Sequence, residues 1–301
     1  LGERLFAVFN PKSGKGRGAR LVAPVLEALS AGGPVEHGVT SCAGEEAALA
    51  RDALARGFRT IVAVGGDGTW SNVANAMLAA GAAAELGLVP AGTGCDLAKS
   101  LGIPAGDVAA CARIARAGER RVIDVGRIEG RCFLNVAGFG FDIAVIEDSW
   151  KVDYVPGGLV YLYCALRQLY RFPGFAVDIG VDGAPAQRSD LLMLVIANAK
   201  VFGGGFQIAP QADLSDGRLD LTAFANMGVP QRLSALLRLL RGTHARSPRV
   251  TLRAGSRFTL RFDAPPAYET DGEWNQAKSA ELTIDLLPRA LAVRAGPAPP
   301  A

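Results

Sequence analysis

The feature that most constrains the fold is a unit repeated through the first third of the chain: a short apolar run that ends in a glycine-rich bend. LFAVFN (5–10) runs into NPKSGKG, RTIVAV (59–64) into GGDGTW, and LGLVP (86–90) into AGTGCD. A short apolar run bounded by glycines reads as a buried strand. Helical patterns separate the runs. ARLVAPVLEALS places Leu21, Val25 and Leu29 on one face, EEAALARDALARG (45–57) ends at Gly57, and SNVANAMLAAG and GDVAACARIARAG (106–118) follow. This alternation predicts a doubly wound parallel sheet with helices on both faces, an α/β domain. Ligands of such sheets bind outside the carboxyl ends of the strands, and all three bends fall on that rim.

After about residue 120 strands dominate. RVIDVGRIEGRCFLNVAG, FAVDIGVDGAPAQRSDLLMLVIANAK, GRLDLTAFA, RVTLRAGSRFTLRFDA and ELTIDLLP read as a mainly antiparallel β-sandwich or barrel, with helical insertions near 157–170 and 230–241. Helix 157–170, GGLVYLYCALRQLY, is apolar on most sides and is expected to pack between surfaces. The expected organisation is an α/β domain over 1–123 and a β-rich domain over 124–285. A C-terminal segment, 286–301, returns to the first domain and ends in a disordered tail, GPAPPA.

Composition removes several function classes. The longest apolar run, LLMLVIANA (191–199), is about half the ~20 residues of a spanning helix, and LGERLFAVFN lacks a secretory pattern. A cytoplasmic protein is expected. Five cysteines without a close pair and only two histidines argue against a zinc site, a disulfide framework or a histidine triad. Leu221 to Phe262 contains eight arginines and no acid, a surface that can attract anions, lipid headgroups included. Nucleic-acid binding is not expected, because stacking aromatics do not alternate with these charges.

Glycines let backbone N–H groups converge on an anion. In NPKSGKG, Ser13, Gly14 and Gly16 offer amides while Lys12 and Lys15 offer charge; the spacing is not that of a Walker loop. In GGDGT a helix start points its positive end at the bend. Asp67 is the odd residue there. Either Mg²⁺ offsets its repulsion from phosphate, or it caps the following helix. AGTGCD repeats the design with Thr93 and Asp96. Late in the chain, YETDGEWN sets Asp271 and Glu273 around a glycine, which is either a plain turn or the source of a general base.

The ordered set NPKSGKG, GGDGT, PAGTGCD, VFGGGFQIAPQADLSDGRLD (201–220) and DGE resembles the diacylglycerol kinase catalytic-domain superfamily, and most of all its soluble bacterial lipid kinases, related to sphingosine and ceramide kinases. The resemblance implies a two-domain lipid kinase fold with the site in the cleft between the domains. It implies an ATP- and Mg-dependent lipid kinase that phosphorylates a lipid hydroxyl, works peripherally on a membrane surface in phospholipid metabolism, and allows a homodimer. ATP contacts then fall on Asn10, Pro11, Lys12, Ser13, Gly14, Thr40, Gly66, Asp67, Gly68, Thr69, Trp70, Ser71, Asn72 and Thr93. A structural Mg²⁺ falls on Asp213, Asp216 and the Arg218 backbone. Glu273 accepts the proton, with Asp271 and Asp67 in the catalytic network. The sequence departs from the family pattern where Ser71 and Asn72 follow Trp70 and where Cys95 replaces an asparagine. Trp150, Tyr154, Leu159, Tyr163, Val201, Phe202 and Phe206 form a candidate lipid entry. The alternatives are an NAD kinase-like enzyme and a non-catalytic lipid-binding member of the fold.

Overall fold

The computed structural model of the chain describes residues 4–153, 155 and 159–297. The expected disordered tail beyond 297 and Tyr154 of the proposed entry lie outside them. Two compact units emerge, Leu1–Val125 with Leu287–Ala301, and Gly126–Leu286.

In the first unit the order is β1 (Leu5–Phe9), α1 (Ser13–Ser30), β2 (Val35–Val39), α2 (Glu45–Ala55), β3 (Thr60–Gly65), α3 (Asp67–Ala79), β4 (Glu85–Pro90), α4 (Asp96–Ser100), α5 (Val108–Ala117) and β5 (Glu119–Ile128), whose end enters the second unit. β1 is buried along its whole length, as its unbroken apolar run requires. It pairs in parallel with β2 and β3, and β3 pairs in parallel with β4. α1 packs with α5 and α2 with α3 against this sheet. The register sets Phe9 beside Val64 and Val64 beside Val89, so the three bends leave the sheet at one rim. α3 begins at Asp67, four residues before the helix that SNVANAMLAAG suggests, because DGTW supplies its first turn.

The second unit contains β6 (Arg131–Phe133), β7 (Val136–Gly140), α6 (Phe141–Ser149), α7 (Val160–Arg171), β8 (Phe175–Val181), β9 (Gln187–Ala197), β10 (Leu219–Ala225), α8 (Val229–Leu240), β11 (Val250–Gly255), β12 (Arg257–Phe262), β13 (Ala267–Thr270), β14 (Glu273–Gln276) and the start of β15 (Glu281–Ala295). It is an antiparallel β-sandwich domain. β9 pairs with β7, β8 and β10, and it serves two cores: Leu191, Leu194 and Ile196 pack with Phe139, Phe258 and Phe262, while Met193, Val195 and Ala197 pack with Ile208 and Phe224. The uninterrupted apolar run LLMLVIA follows from that double burial.

The chain's last strand has a partner in each unit. Its first half pairs antiparallel with β12, and Ala292 and Val293 pair in parallel with β4. In the first unit the buried Asp124 carboxylate accepts a hydrogen bond from the Arg289 amide at 2.7 Å, fixing the returning backbone. α7 departs from expectation. It buries Cys164 and Leu169 and half-buries Val160 but leaves Leu159, Leu162, Leu166 and Tyr170 exposed, so it is not sandwiched between surfaces.

Candidate functional site

In the first unit, side chains tie the three bends to one another. Asn10 donates both amide hydrogens, one to Thr69 Oγ1 and one to Glu46 Oε1, each at 3.0 Å, while its Oδ1 accepts from the Lys12 amide at 3.0 Å. Asn10 therefore joins the first bend to the start of α3. Asp67 joins the second bend to the third: its Oδ1 accepts from the amides of Asp96 and Leu97, at 2.9 and 3.2 Å, at the first turn of α4. Arg17 joins the first to the third, donating to the carbonyls of Ala91 at 3.2 Å and Gly92 at 2.8 Å. The glycines allow the closeness. A Cβ on Gly92 would stand 2.5 Å from the Gly66 Cα, and one on Gly14 would stand 2.1 Å from the Ala91 carbonyl oxygen.

Gly14, Lys15 and Gly16 all have positive φ, so α1 opens with a backbone loop before regular turns begin. Such left-handed residues turn successive N–H groups toward one point. Lys12 and Lys15 are exposed beside it, as is Thr93 on the third bend. Thr40 reaches the same rim at the end of β2, its amide bonded to the Phe9 carbonyl at 2.9 Å. Gly68 and Asn72 lie in the first turns of α3. Trp70 and Ser71 lie there too but are fully buried, and the Trp70 indole donates to the Ala63 carbonyl at 3.1 Å. Those two side chains pack the helix rather than face a ligand. Cys95 sits at φ 51 in the family's asparagine position, its thiol 3.9 Å from the Gly65 carbonyl and pushed up to about 12 by burial, then by Asp67.

In the second unit, Asp271-Gly272 of DGE is a two-residue hairpin turn. Asp271 and Gly272 both have positive φ between β13 and β14, the type I′ pattern that Asp-Gly favours. The Asp271 carboxylate accepts from the amides of Leu134 and Asn135 at 2.8 Å each and of Val136 at 3.2 Å. It fastens the hairpin to the β6–β7 connection. Glu273, two residues on, pairs with Arg131, which also donates to Thr270 Oγ1 at 3.2 Å. The same hairpin carries Trp274, whose indole donates to Glu147 at 3.1 Å and meets Trp150 edge-on at 5.6 Å.

Asp213 and Asp216 are exposed in the loop before β10. Asp213 Oδ1 accepts from the Ser215 amide and hydroxyl, and Asp216 Oδ1 accepts from the Arg218 amide at 3.0 Å. Hard oxygen donors of this kind suit Mg²⁺. Among the described residues no group of three or more acids, histidines or cysteines forms a metal cluster, so backbone carbonyls and water would complete such a site.

Several residues escaped the sequence reading. Arg17 cross-links two bends, Glu46 holds Asn10 from α2, and Arg131 holds Glu273. Asp142 opens α6, buried, across Gly138 from Glu269. A Cβ on Gly138 would meet Asp142 Oδ2 at 2.0 Å and Glu269 Oε1 at 2.9 Å. Burial pushes the Asp142 carboxyl up to about 7 against the pull of the Ile143 amide. The only sequence signal for this acid pair is an aspartate inside an apolar run, which is ambiguous alone.

Two family models cover the chain in succession. Residues 4–128 match the diacylglycerol kinase catalytic domain, and residues 135–295 match the YegS C-terminal NAD kinase beta sandwich-like domain. The chain is 30% identical to a diacylglycerol kinase of Bacillus subtilis over 90% of both chains. It is 35% identical to a probable YegS-like lipid kinase of Pseudomonas putida over 82% of this chain and 84% of that one. In fold it is similar to the crystal structure of a diacylglycerol kinase from Bacillus anthracis, with a TM-score of 0.81, 22% identity and 98% of each chain covered. Order of motifs, joined bends and two-unit architecture thus agree: the chain belongs to the diacylglycerol kinase family of lipid kinases.

Proposed function

We propose that the chain transfers the γ-phosphate of ATP to a lipid hydroxyl with Mg²⁺, at the cytoplasmic surface of a membrane to which it binds peripherally. The observation that carries this reading is the joining of three amide-rich bends at one sheet rim through Asn10, Asp67 and Arg17. The backbone loop at Gly14–Gly16 and the N-terminus of α3 present fixed dipoles to phosphate, with Lys12 and Lys15 adding charge. Thr40, Asn72 and Thr93 complete the nucleotide contacts. Asn10 positions neighbouring bends through its hydrogen bonds, and Asp67 does so through its Oδ1.

Asp271 holds its hairpin through three amides, and Glu273, paired with Arg131, is the acid assigned here to accept the hydroxyl proton. Mg²⁺, when bound, would supply charge neutralisation for the phosphate as it is transferred. Asp67 would serve the catalytic ion, and Asp213, Asp216 and the Arg218 carbonyl a structural one. The names of the B. subtilis and B. anthracis proteins make diacylglycerol the first acceptor to test, ahead of sphingoid bases and ceramide.

The test is γ-labelled ATP with a panel of these lipids and with NAD. Phosphorylation of a lipid is expected; label on NAD alone refutes the reading. Glu273→Gln should lose roughly 10²- to 10⁴-fold in turnover while still binding ATP.

A further inference from the structure

The large apolar side chains left exposed among the described residues are concentrated. Val39 lies in the first unit; the others occur between Trp150 and Tyr170 or between Val229 and Leu240 of the second. On α7 and the residue before it, Leu159, Leu162, Tyr163, Leu166 and Tyr170 follow i, i+3, i+4, i+7 and i+11, one continuous helix face. Val160 and Cys164 face the other way and pack on Val145, Val152 and Phe141. A surface helix ordinarily buries its single apolar stripe. This helix buries one and exposes a second.

α8 repeats the arrangement. Leu233, Leu237 and Leu240, spaced i, i+4 and i+7, are exposed, while Arg232 and Leu239 are buried. Arg232 fixes the two helices to each other. Its Nη1 donates to the carbonyls of Leu169 at 3.0 Å and Phe172 at 2.7 Å, at the end of α7. Its Nε donates to the Met227 carbonyl at 2.7 Å and its Nη2 to Asn226 Oδ1 at 3.0 Å. A charge is buried at a cost only where its geometry is fully used. Here it caps the carbonyls that end one amphipathic helix from the first turns of the next.

The exposed charge carried by the two helices and by the segment after α8 has one sign. Arg171, Arg238, Arg241, Arg246 and Arg249 are exposed, and neither 159–171 nor 221–262 contains an acid. A second copy docked face to face by a two-fold axis would bring these arginines against one another. Apolar stripes rimmed by arginine match instead an acyl layer beneath anionic headgroups.

We propose that α7 and α8 form the face by which the protein lies on an anionic bilayer, with the leucine and tyrosine stripes at the acyl boundary and the arginines on the headgroups. The proposal deepens the lipid-kinase reading, which gives the reason for a bilayer partner. Exposed Trp150 ties this face to the acid-bearing hairpin, since it packs edge-on against Trp274, the neighbour of Glu273.

The test is flotation of the full chain, without nucleotide, with vesicles of phosphatidylcholine alone or mixed with phosphatidylglycerol. Wild type should float with the mixed vesicles only. Arg238→Gln with Arg241→Gln should weaken binding by roughly fivefold per arginine, and the difference from wild type should shrink in high salt. Leu162→Ser with Leu166→Ser, and separately Leu233→Ser with Leu237→Ser, should each weaken it by at least about tenfold. Each variant is used only if its melting temperature matches wild type; a helix that fails this is replaced by single Leu166→Ser or Leu237→Ser. Wild type that ignores anionic vesicles overturns the proposal. So do folded leucine variants that float like wild type, or a dimer that the leucine changes dissociate without altering flotation. Flotation by a protein that phosphorylates no lipid supports this face and refutes the kinase reading alone.

Discussion

Replacing Asp142 by asparagine should change how stability depends on pH. The carboxyl is buried at the start of α6, across Gly138 from Glu269, and its pKa is pushed up to about 7 by burial from an ordinary 3.8. Two acids so placed carry one negative charge more easily than two. Between those pH values the unfolded chain releases this proton and the folded chain keeps it. Stability from this group is therefore fully present below about pH 4, falls as pH rises, and levels off above 7. Each pH unit in that window costs about 1.4 kcal/mol, so the total is roughly 4 kcal/mol by pH 8. Asparagine keeps the shape and removes the ionisation. Urea unfolding of both proteins at pH 4.5, 6 and 8 reads the effect of this acid pair, because the titrating groups outside it are common to both. The variant should match wild type within about 1 kcal/mol at pH 4.5 and exceed it by about 3–4 kcal/mol at pH 8. A difference that stays constant across the three pH values refutes the reasoning.

Asp271→Ala strands three buried amides and should destabilise by roughly 3 kcal/mol or more, read as a lower melting temperature. Glu273→Gln should leave that temperature nearly unchanged. Asp67→Ala removes the acceptor of two α4 amides and should weaken ATP binding by calorimetry, whereas Asp67→Asn keeps an oxygen there and should bind closer to wild type. Maleimide at pH 8 should label Cys42 alone in the native chain, since Cys42 is exposed and the other four thiols are buried; mass spectrometry that finds Cys95 labelled would contradict its burial.

The α/β sheet and β-sandwich were legible because strand runs, glycine bends and helical periods are local patterns. The three bends were legible for the same reason, since amide-lined turns need glycine at positions a sequence displays. The work done by each acid was not. Asp67 is bonded to residues about 30 positions away and Asp271 to residues about 135 away, and only the folded chain makes those partners neighbours. Arg232 looked like one more surface arginine until its place between α7 and α8 became visible. The apolar period of 157–170 fixed a helix, but periodicity cannot say which stripe finds protein to pack on.

The last strand imposes an order on how the protein comes into being. Ala292 and Val293 lie beside β4, in parallel with strands β1 to β4 that are made within the first 90 residues. A ribosome must pass residue 293 before the first unit has all its strands. A chain released before that point would carry the three glycine bends on an unfinished sheet.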